Sequence, residues 1–307
     1  MVPKRLLITG SSGFVGQWCL REAALRPRWQ VVEASAALDL RDTASIDAEL
    51  GASAPDAVLH LAAQSFVPAS FEDPRATLEV NLLGTLNLLQ ALQRTGFGGR
   101  FVYVSSADVY GRVPADRMPI DESRCPEPRN PYAVSKLAAE ALCRQWHHSD
   151  GLDLVVARPF NHIGAGQDPR FVVSGLAREF AQIGLGRQTA RISAGDLAVS
   201  RDFTDVRDVV QAYFGLLERG APGATYNVCS GRPTGLLEVI GHLREITGID
   251  PEIVVDPAKL RPNEQKIAYG SARAIADATG WAPTIDLRQS LLDIHSFWQQ
   301  EIAHEQD

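Results

Sequence analysis

The amino-acid sequence predicts an α/β protein, a doubly wound parallel sheet with a smaller, interleaved α/β lobe. Three observations carry that expectation. Short apolar runs alternate with helical patterns through the first half of the chain, the ordering that builds a parallel sheet from crossover units. Those runs are apolar nearly throughout rather than at every second residue, as strands covered on both faces must be. Past Arg158 the alternation lapses into a long polar turn, and the remainder mixes helices with short strands.

The first run, Arg5-Leu6-Leu7-Ile8-Thr9, ends in Gly10-Ser11-Ser12-Gly13-Phe14-Val15-Gly16, and a helical pattern follows from Gln17 to Leu25. Strand, glycine turn and helix in that order are the setting of a dinucleotide-binding turn, so the sheet is expected to be of Rossmann type. Glycines there permit tight turning and let backbone N–H groups reach a pyrophosphate at the helix N-terminus. The spacing is G-x-x-G-x-x-G, and Gly10, Gly13, Phe14, Val15 and Gly16 become candidate cofactor residues. A second strand, 30–34, ends near Ser35, where the adenosine ribose is usually contacted. A carboxylate at that point would repel a 2′-phosphate, so the neutral Ser35 favours NADP(H) and leaves NAD(H) possible. Asp39 and Leu40 come next and could line the adenine pocket.

The third strand, 57–63, closes on Leu61-Ala62-Ala63, small residues suited to a sheet edge that a cofactor crosses, and Gln64-Ser65 follow. A helical pattern runs from about 74 to 94. The fourth strand, 101–106, ends in the hydroxyls of Ser105 and Ser106 rather than in apolar groups. Helix 132–148 and strand 154–158 complete the first half. The segment from Pro159 to Pro169 is long, polar and rich in turn residues, as functional loops often are. Further helices are expected near 171–183, 206–219, 235–247 and 286–301, with short strands near 225–228 and 252–255. Residues 1–160 with about 202–224 are assigned to a dinucleotide-binding domain, and 161–201 with 225–307 to the second lobe.

Composition narrows the function. A chain of 307 residues with 45% hydrophobic and 22% charged residues is long enough for two lobes and has an ordinary globular balance. The net charge of -7 argues against nucleic acid as a partner. No run approaches the ~20 apolar residues of a membrane span, and the opening residues lead directly into a strand, so a cytoplasmic protein is expected. Cys19, Cys125, Cys143 and Cys229 form no C-x-x-C pair, which argues against zinc or a disulfide framework. His162 has no second ligand at metal spacing and is read as a pocket-wall residue, so no metal is expected.

The stretch from Asn130 to Glu140 carries the chemistry. Pro131 suits a first helical turn, and the Ala/Leu-rich run that follows puts Tyr132 near the N-terminus. Tyr132 and Lys136 then project from one face. A phenol with its usual pKa near ~10 is a poor proton donor or acceptor at neutral pH. A nearby ammonium is expected to favour the phenolate and bring it into range. Alone, such a spacing is more often a chance pair on a helix surface. The glycine turn and the Ser105-Ser106 strand end are what change its meaning.

Taken together, Gly10/Gly13/Gly16, Ser105-Ser106, Tyr132/Lys136 and Arg158-Pro159-Phe160-Asn161 resemble the extended short-chain dehydrogenase/reductase family of nucleotide-sugar epimerases, dehydratases and reductases, over essentially the whole chain. The resemblance implies that Ser106 is the catalytic hydroxyl, Tyr132 the acid/base, and Lys136 its tuner and a ligand of the nicotinamide ribose. It also implies cofactor contacts at Leu61, Ala62, Ala63 and Pro159, and substrate contacts at Ser65, Ser105, Ser106, Asn161 and His162.

Within the family, dehydratases resemble one another in carrying a further acid and base before Val/Leu-Tyr-Gly. Here Ala107 cannot move a proton, and Asp108 is one methylene shorter than the usual glutamate. The loop from Arg158 to Gly164, Gln167, the run Arg201-Asp202-Phe203-Thr204-Asp205-Val206 and Arg261-Pro262-Asn263-Glu264-Gln265 are similar instead to reductases of GDP-6-deoxy-4-keto-D-mannose. That similarity implies a GDP-linked 4-keto-6-deoxyhexose in the second lobe, with Ala165 replacing a proline common in the loop. Arginine forks suit phosphates, so Arg201 and Arg261 are candidates for the diphosphate, Glu264 for the guanosine ribose, and Arg191 for a lesser contact. The family further implies a homodimer packed through the helices near 74–94 and 132–148. Two rivals remain open at this point: a GDP-mannose 4,6-dehydratase or C4-epimerase, which would retain its cofactor, and a non-catalytic dinucleotide-binding regulator.

Overall fold

The computed structural model describes residues 2–35, 38–259 and 265–304. In chain order the elements are β1 (Lys4–Thr9), α1 (Phe14–Ala24), β2 (Trp29–Glu33), α2 (Thr43–Ser53), β3 (Ala57–His60), α3 (Val67–Glu72), α4 (Pro74–Leu78), α5 (Gly84–Arg94) and β4 (Arg100–Val104). They continue with α6 (Pro131–Asp150), β5 (Asp153–Pro159), β6 (Asn161–Ile163), α7 (Val172–Gly184), β7 (Arg191–Ala194), β8 (Ser200–Asp205) and α8 (Val206–Arg219). The last are β9 (Thr225–Val228), β10 (Pro233–Gly235), α9 (Leu236–Thr247), β11 (Glu252–Val255), β12 (Ile267–Ala268), α10 (Arg273–Thr279) and α11 (Leu287–His304).

Six parallel strands form the main sheet in the order β2-β1-β3-β4-β5-β9. The chain leaves β1 for β2 on one side and then crosses to β3 on the other. The carboxyl ends of β1 and β3 therefore flank a topological switch point, the crevice where open α/β sheets bind ligands. Side chains alternate between the two faces as a pleat requires. Leu6, Ile8, Leu59 and Val102 pack toward α1 and α8 with Val209 and Phe214. Leu7, Val58, Phe101 and Tyr103 pack toward α2, α5 and α6 with Leu50, Leu89 and Cys143. Burial on both faces is why these strands carry so few polar residues.

The second lobe has its own core. Val173, Phe180, Ile192, Phe203, Val239, Leu243 and Leu291 join α7, α9 and α11 to β7 and β8. Among the described residues β7 pairs with β11 alone, and β8 pairs with β6, β10 and β12. Two boundary assignments read from the sequence therefore change. Strand 225–228 is not in the second lobe but is the edge strand β9 of the main sheet, joined to β5. Residues 202–205 belong to β8 and so to the smaller sheet, and only from Val206 does the chain return as α8 to cover the main one. Strand partners lie far apart in sequence, and local pattern does not reveal them.

The helical pattern over 74–94 is interrupted. A single π turn, Glu79–Leu83, joins α4 to α5. It sits where Gly84 passes Leu40 so closely that a Cβ there would lie 2.8 Å from that of Leu40. π turns often mark functional positions, and this one directs Asn81 inward, 2% exposed.

Candidate active site

Gly10 adopts a left-handed φ of +74°, and a Cβ on it would press within 2.9 Å of the Ala62 backbone. Glycine is what lets β1 turn this tightly beside the end of β3. At Gly16 a Cβ would come within 2.2 Å of the Gly10 carbonyl, so only glycine lets α1 pack onto the turn. Around Gly13 the side facing away from the turn is open, with the Gly10 oxygen alone nearby at 3.3 Å. Among the described residues no N-cap side chain bonds the first N–H groups of α1, because Gly13 has none to offer. A helix start at the switch point, uncapped and unobstructed, fits a pyrophosphate. Leu61, Ala62 and Ala63 follow directly, their chain held by Leu61 N–H and Ala62 N–H donating to the Thr9 carbonyl and hydroxyl at 3.2 and 3.3 Å. The residues present thus fit a dinucleotide.

The residues expected at the adenosine end lie past β2 and before α2. Ser35 lies exposed past β2, its N–H donating to Glu49 at 2.8 Å. Asp39 and Arg41 form an ion pair at 2.7 Å, and the guanidinium holds the Asp39 carboxyl down at about 2. Leu40 is buried beneath them. Pro159 ends β5, buried, opposite Val228.

α6 starts as its sequence dictates. The Asn130 side chain accepts the Ala133 N–H at 2.7 Å, and Pro131 occupies the first turn. Tyr132 and Lys136 then lie on one buried face, 8% and 3% exposed. Ser106 caps the short turn after β4, accepting the Asp108 N–H at 3.1 Å, and its hydroxyl acts on the Tyr132 phenol to draw its pKa down. Ser106 after β4 and Tyr132 with Lys136 on α6 thus lie at the carboxyl edge of the main sheet.

One expectation fails in sign. The phenol of Tyr132 is pushed up, not down: burial raises it most, the Asp108 carboxylate adds to that, and only the Ser106 hydroxyl opposes. Burial in turn lowers Lys136 to about 8. The ammonium lies 5.0 Å over the Tyr103 ring. Desolvation of the phenolate decides the shift, and Lys136 is not among the groups that act on it, so the pocket holds a protonated phenol at neutral pH. This is the state a proton donor needs.

Substrate candidates are placed unevenly. Ser105 is buried and its Oγ has no hydrogen-bond partner among the described residues. Ser65 lies exposed past β3. On β6, Asn161 is exposed, and His162 stacks on Phe14 with ring centres 6.2 Å apart, its Nδ1 facing the Phe160 carbonyl at 3.3 Å. Burial lowers the His162 pKa, leaving a neutral ring. Trp18 of α1 donates to the Ala165 carbonyl at 3.2 Å, a second tie between the substrate loop and the glycine turn's helix. Arg201, half-buried on β8, donates to the Ser200 and Gln265 carbonyls at 3.0 and 2.8 Å. Arg191 is on the other small sheet, 3.7 Å from Glu252, at the edge of an open groove of about 640 Å³ shared with Arg178, Gln182 and Asp256. Arg261 and Glu264 lie outside the described residues. Among the described residues no group of three or more His, Cys, Asp or Glu is arranged to hold a metal.

Sequence reasoning overlooked Asn81. Its amide donates to the Gln64 carbonyl at 3.0 Å and to Ser135 Oγ at 2.9 Å, and its oxygen accepts the Gln64 N–H at 2.8 Å. Ser135 donates in turn to the Tyr132 carbonyl at 2.7 Å. The only sequence signal is an asparagine in an otherwise apolar helical stripe.

A Rossmann-type sheet with a glycine turn, a Ser/Tyr/Lys set beside it and a second, smaller lobe is the architecture of nucleotide-sugar enzymes of the short-chain dehydrogenase/reductase type. The chain belongs to the GDP-mannose 4,6 dehydratase family, whose pattern it matches over residues 29–294. It is 49% identical to a GDP-6-deoxy-D-mannose reductase of Pseudomonas aeruginosa over 303 residues, 98% of this chain and 99% of that protein. In three dimensions it superimposes on RMD from Pseudomonas aeruginosa complexed with NADPH, with a TM-score of 0.93, 48% identity and coverage of 97% and 99% of the two chains. A UDP-glucose 4-epimerase of Thermus thermophilus in complex with NAD is similar at a TM-score of 0.83 and 31% identity, covering 96% and 99%.

Proposed function

We propose that this protein is an NAD(P)H-dependent nucleotide-sugar 4-ketoreductase that reduces GDP-4-keto-6-deoxy-D-mannose to GDP-D-rhamnose. The observation that carries the reading is the end-to-end match to the Pseudomonas aeruginosa reductase, which takes in the sugar-nucleotide lobe as well as the cofactor sheet. Incubation with GDP-4-keto-6-deoxy-D-mannose and NADPH, followed by NMR assignment of the C4 configuration, tests it. GDP-D-rhamnose is expected, and a C4 epimer or unreacted ketone would refute it.

When bound, the reduced nicotinamide supplies the hydride that reaches C4. The Ser106 hydroxyl aligns the carbonyl oxygen by hydrogen bonding, and Tyr132, held protonated by burial, gives its proton to the oxygen as negative charge develops there. Lys136 offsets the charge left on the phenol and binds the nicotinamide ribose. Its ammonium is present below its pKa and lost above it, so turnover is expected to fall as pH rises through about 8. A Lys136→Met variant should be slow at every pH and lack that limb. An unchanged alkaline limb in the variant would remove the lysine from this role.

Arg201 and Arg261 are assigned to the diphosphate, Glu264 to the guanosine ribose, and Arg191 to an outer contact. For the cofactor, NADP(H) is favoured over NAD(H), in line with the neutral Ser35. Ser35→Asp places a carboxylate against the 2′-phosphate. The KM for NADPH should rise about tenfold, with that for NADH changed much less. Equal changes would place the 2′-phosphate elsewhere. The dinucleotide domain is drawn as about 1–160, 206–228 and the residues near α10, with the rest forming the sugar-nucleotide lobe. A homodimer through α4, α5 and α6 is supported by Leu83 in the π turn between α4 and α5 and Val134 on α6, apolar yet 47% and 44% exposed. A cytoplasmic setting, with neither membrane nor nucleic acid as partner, agrees with the acidic net charge of -7. Among the described residues no helix is long and apolar enough to cross a membrane.

A further inference from the structure

Beneath the switch point runs a buried chain of hydrogen bonds that the reaction itself does not use. Thr9 ends β1, His60 ends β3, and Thr85 lies in the first turn of α5; they are 0%, 1% and 1% exposed. Thr9 Oγ1 lies 2.6 Å from His60 Nδ1, and His60 Nε2 lies 3.0 Å from Thr85 Oγ1. The ends of the chain fix its direction. Thr85 spends its hydroxyl proton on the Asn81 carbonyl at 2.7 Å, so toward His60 it can only accept. His60 must then carry its proton on Nε2. Nδ1 is left to accept from the Thr9 hydroxyl, whose oxygen in turn receives the Ala62 N–H at 3.3 Å. Reversing the chain would leave the Thr9 proton without an acceptor among the described residues and break the Thr85–Asn81 hydrogen bond, and a doubly protonated ring would place a charge in a dry interior. Burial, with Lys136 second, does hold the ring neutral, its pKa lowered to about 3.

The chain joins two halves of the site. At one end it fixes the Thr9–Ala62 contact under the glycine turn. At the other it holds the carbonyl of Asn81, whose side chain grips Gln64 and, through Ser135, the Tyr132 backbone. We propose that His60, as the neutral Nε2–H tautomer, is a positioning residue that sets the distance between the cofactor-bearing strand ends and the helix of Tyr132 and Lys136. The proposal rests on the roles given above to Tyr132 and Lys136. The tautomer, however, can be read without them.

Two measurements test it. In protein labelled with 15N-histidine, long-range 1H–15N spectra should show one histidine locked as the Nε2–H form, unchanged from pH 5.5 to 8 (roughly the range over which a free histidine changes charge) and absent from His60→Gln. An Nδ1–H ring, or a His60 that titrates in this range, overturns the proposal whatever the enzyme's substrate proves to be. The second measurement cuts the chain at either end with isosteric changes. Thr9→Val should weaken NADPH binding, read by fluorescence titration, about tenfold with a smaller change in kcat. Thr85→Val should lower kcat about tenfold and leave NADPH affinity within about twofold, because displacements well under 1 Å are costly to hydride and proton transfer. A residue serving stability alone would lower the unfolding temperature of both variants and leave kcat and NADPH affinity unchanged. That outcome also overturns the proposal.

Discussion

Tyr132→Phe is expected to lower kcat by about 10²- to 10⁴-fold while changing the affinity for NADPH and the sugar nucleotide by less than about threefold. The substitution deletes one hydroxyl from a ring 8% exposed and packed at the start of α6, so it leaves no cavity larger than that oxygen. What it removes is the proton. Burial and Asp108 both raise the phenol, with Ser106 the lone opposing influence, so the wild-type group is protonated throughout the neutral range. Without it the developing alkoxide must find its proton in water, and Ser106 alone remains to hold the carbonyl oxygen. Ser106→Ala should cost less than the tyrosine change, because a hydrogen bond is lost but not the acid. Steady-state kinetics with binding titrations on both variants check this. A Tyr132→Phe enzyme that loses binding and turnover in equal measure would contradict the acid role.

The second large effect concerns stability. Glu140→Gln is expected to destabilise the fold by about 3–5 kcal/mol. Arg158 and Glu140 form a two-pronged pair at 2.9 and 2.6 Å, and their side chains are only 5% and 2% exposed. The guanidinium also lies 4.8 Å above the Tyr110 ring, and Tyr110 donates to Asn227 at 2.7 Å, so the pair ties α6 to β5 and β9. Removing one charge strands the other in a dry interior, and that uncompensated ion is the source of the cost. Replacing both, as in Glu140→Met with Arg158→Met, should recover most of the loss. Denaturant unfolding of the single and double variants reads the difference. Glu140 also lies one helical turn beyond Lys136 and raises its pKa, so Glu140→Gln should move the alkaline limb of turnover toward lower pH. If the double variant were no more stable than the single one, the pair would have to contribute through packing rather than through charge.

Much of this was written in local sequence. The glycine turn, the paired Tyr132 and Lys136 on a helix begun by Pro131, and the hydroxyl-ended strand at Ser105-Ser106 depend on spacing within a few residues, and spacing is visible along a chain. Helix 206–219 and strands 225–228 and 252–255 were legible for the same reason. What stayed hidden depends on pairing or burial. β9, Thr225–Val228, reads as a short strand whether it joins β5 or another sheet. The π turn at Asn81 adds a single residue to a helical period, too little to break the pattern. Thr9 and His60 are 51 residues apart, and nothing local links them. The sign of the Tyr132 shift was misjudged because the i, i+4 rule gives the neighbour's charge but not the depth at which both groups sit.

The most direct test counts electrons. With GDP-4-keto-6-deoxy-D-mannose as substrate, a ketoreductase oxidises one NADPH for each GDP-D-rhamnose formed, and loss of the dihydronicotinamide absorbance should equal product at every time point. A product that accumulates with no net change in that absorbance would mean the cofactor is regenerated within each cycle. The protein would then be a dehydratase or an epimerase instead.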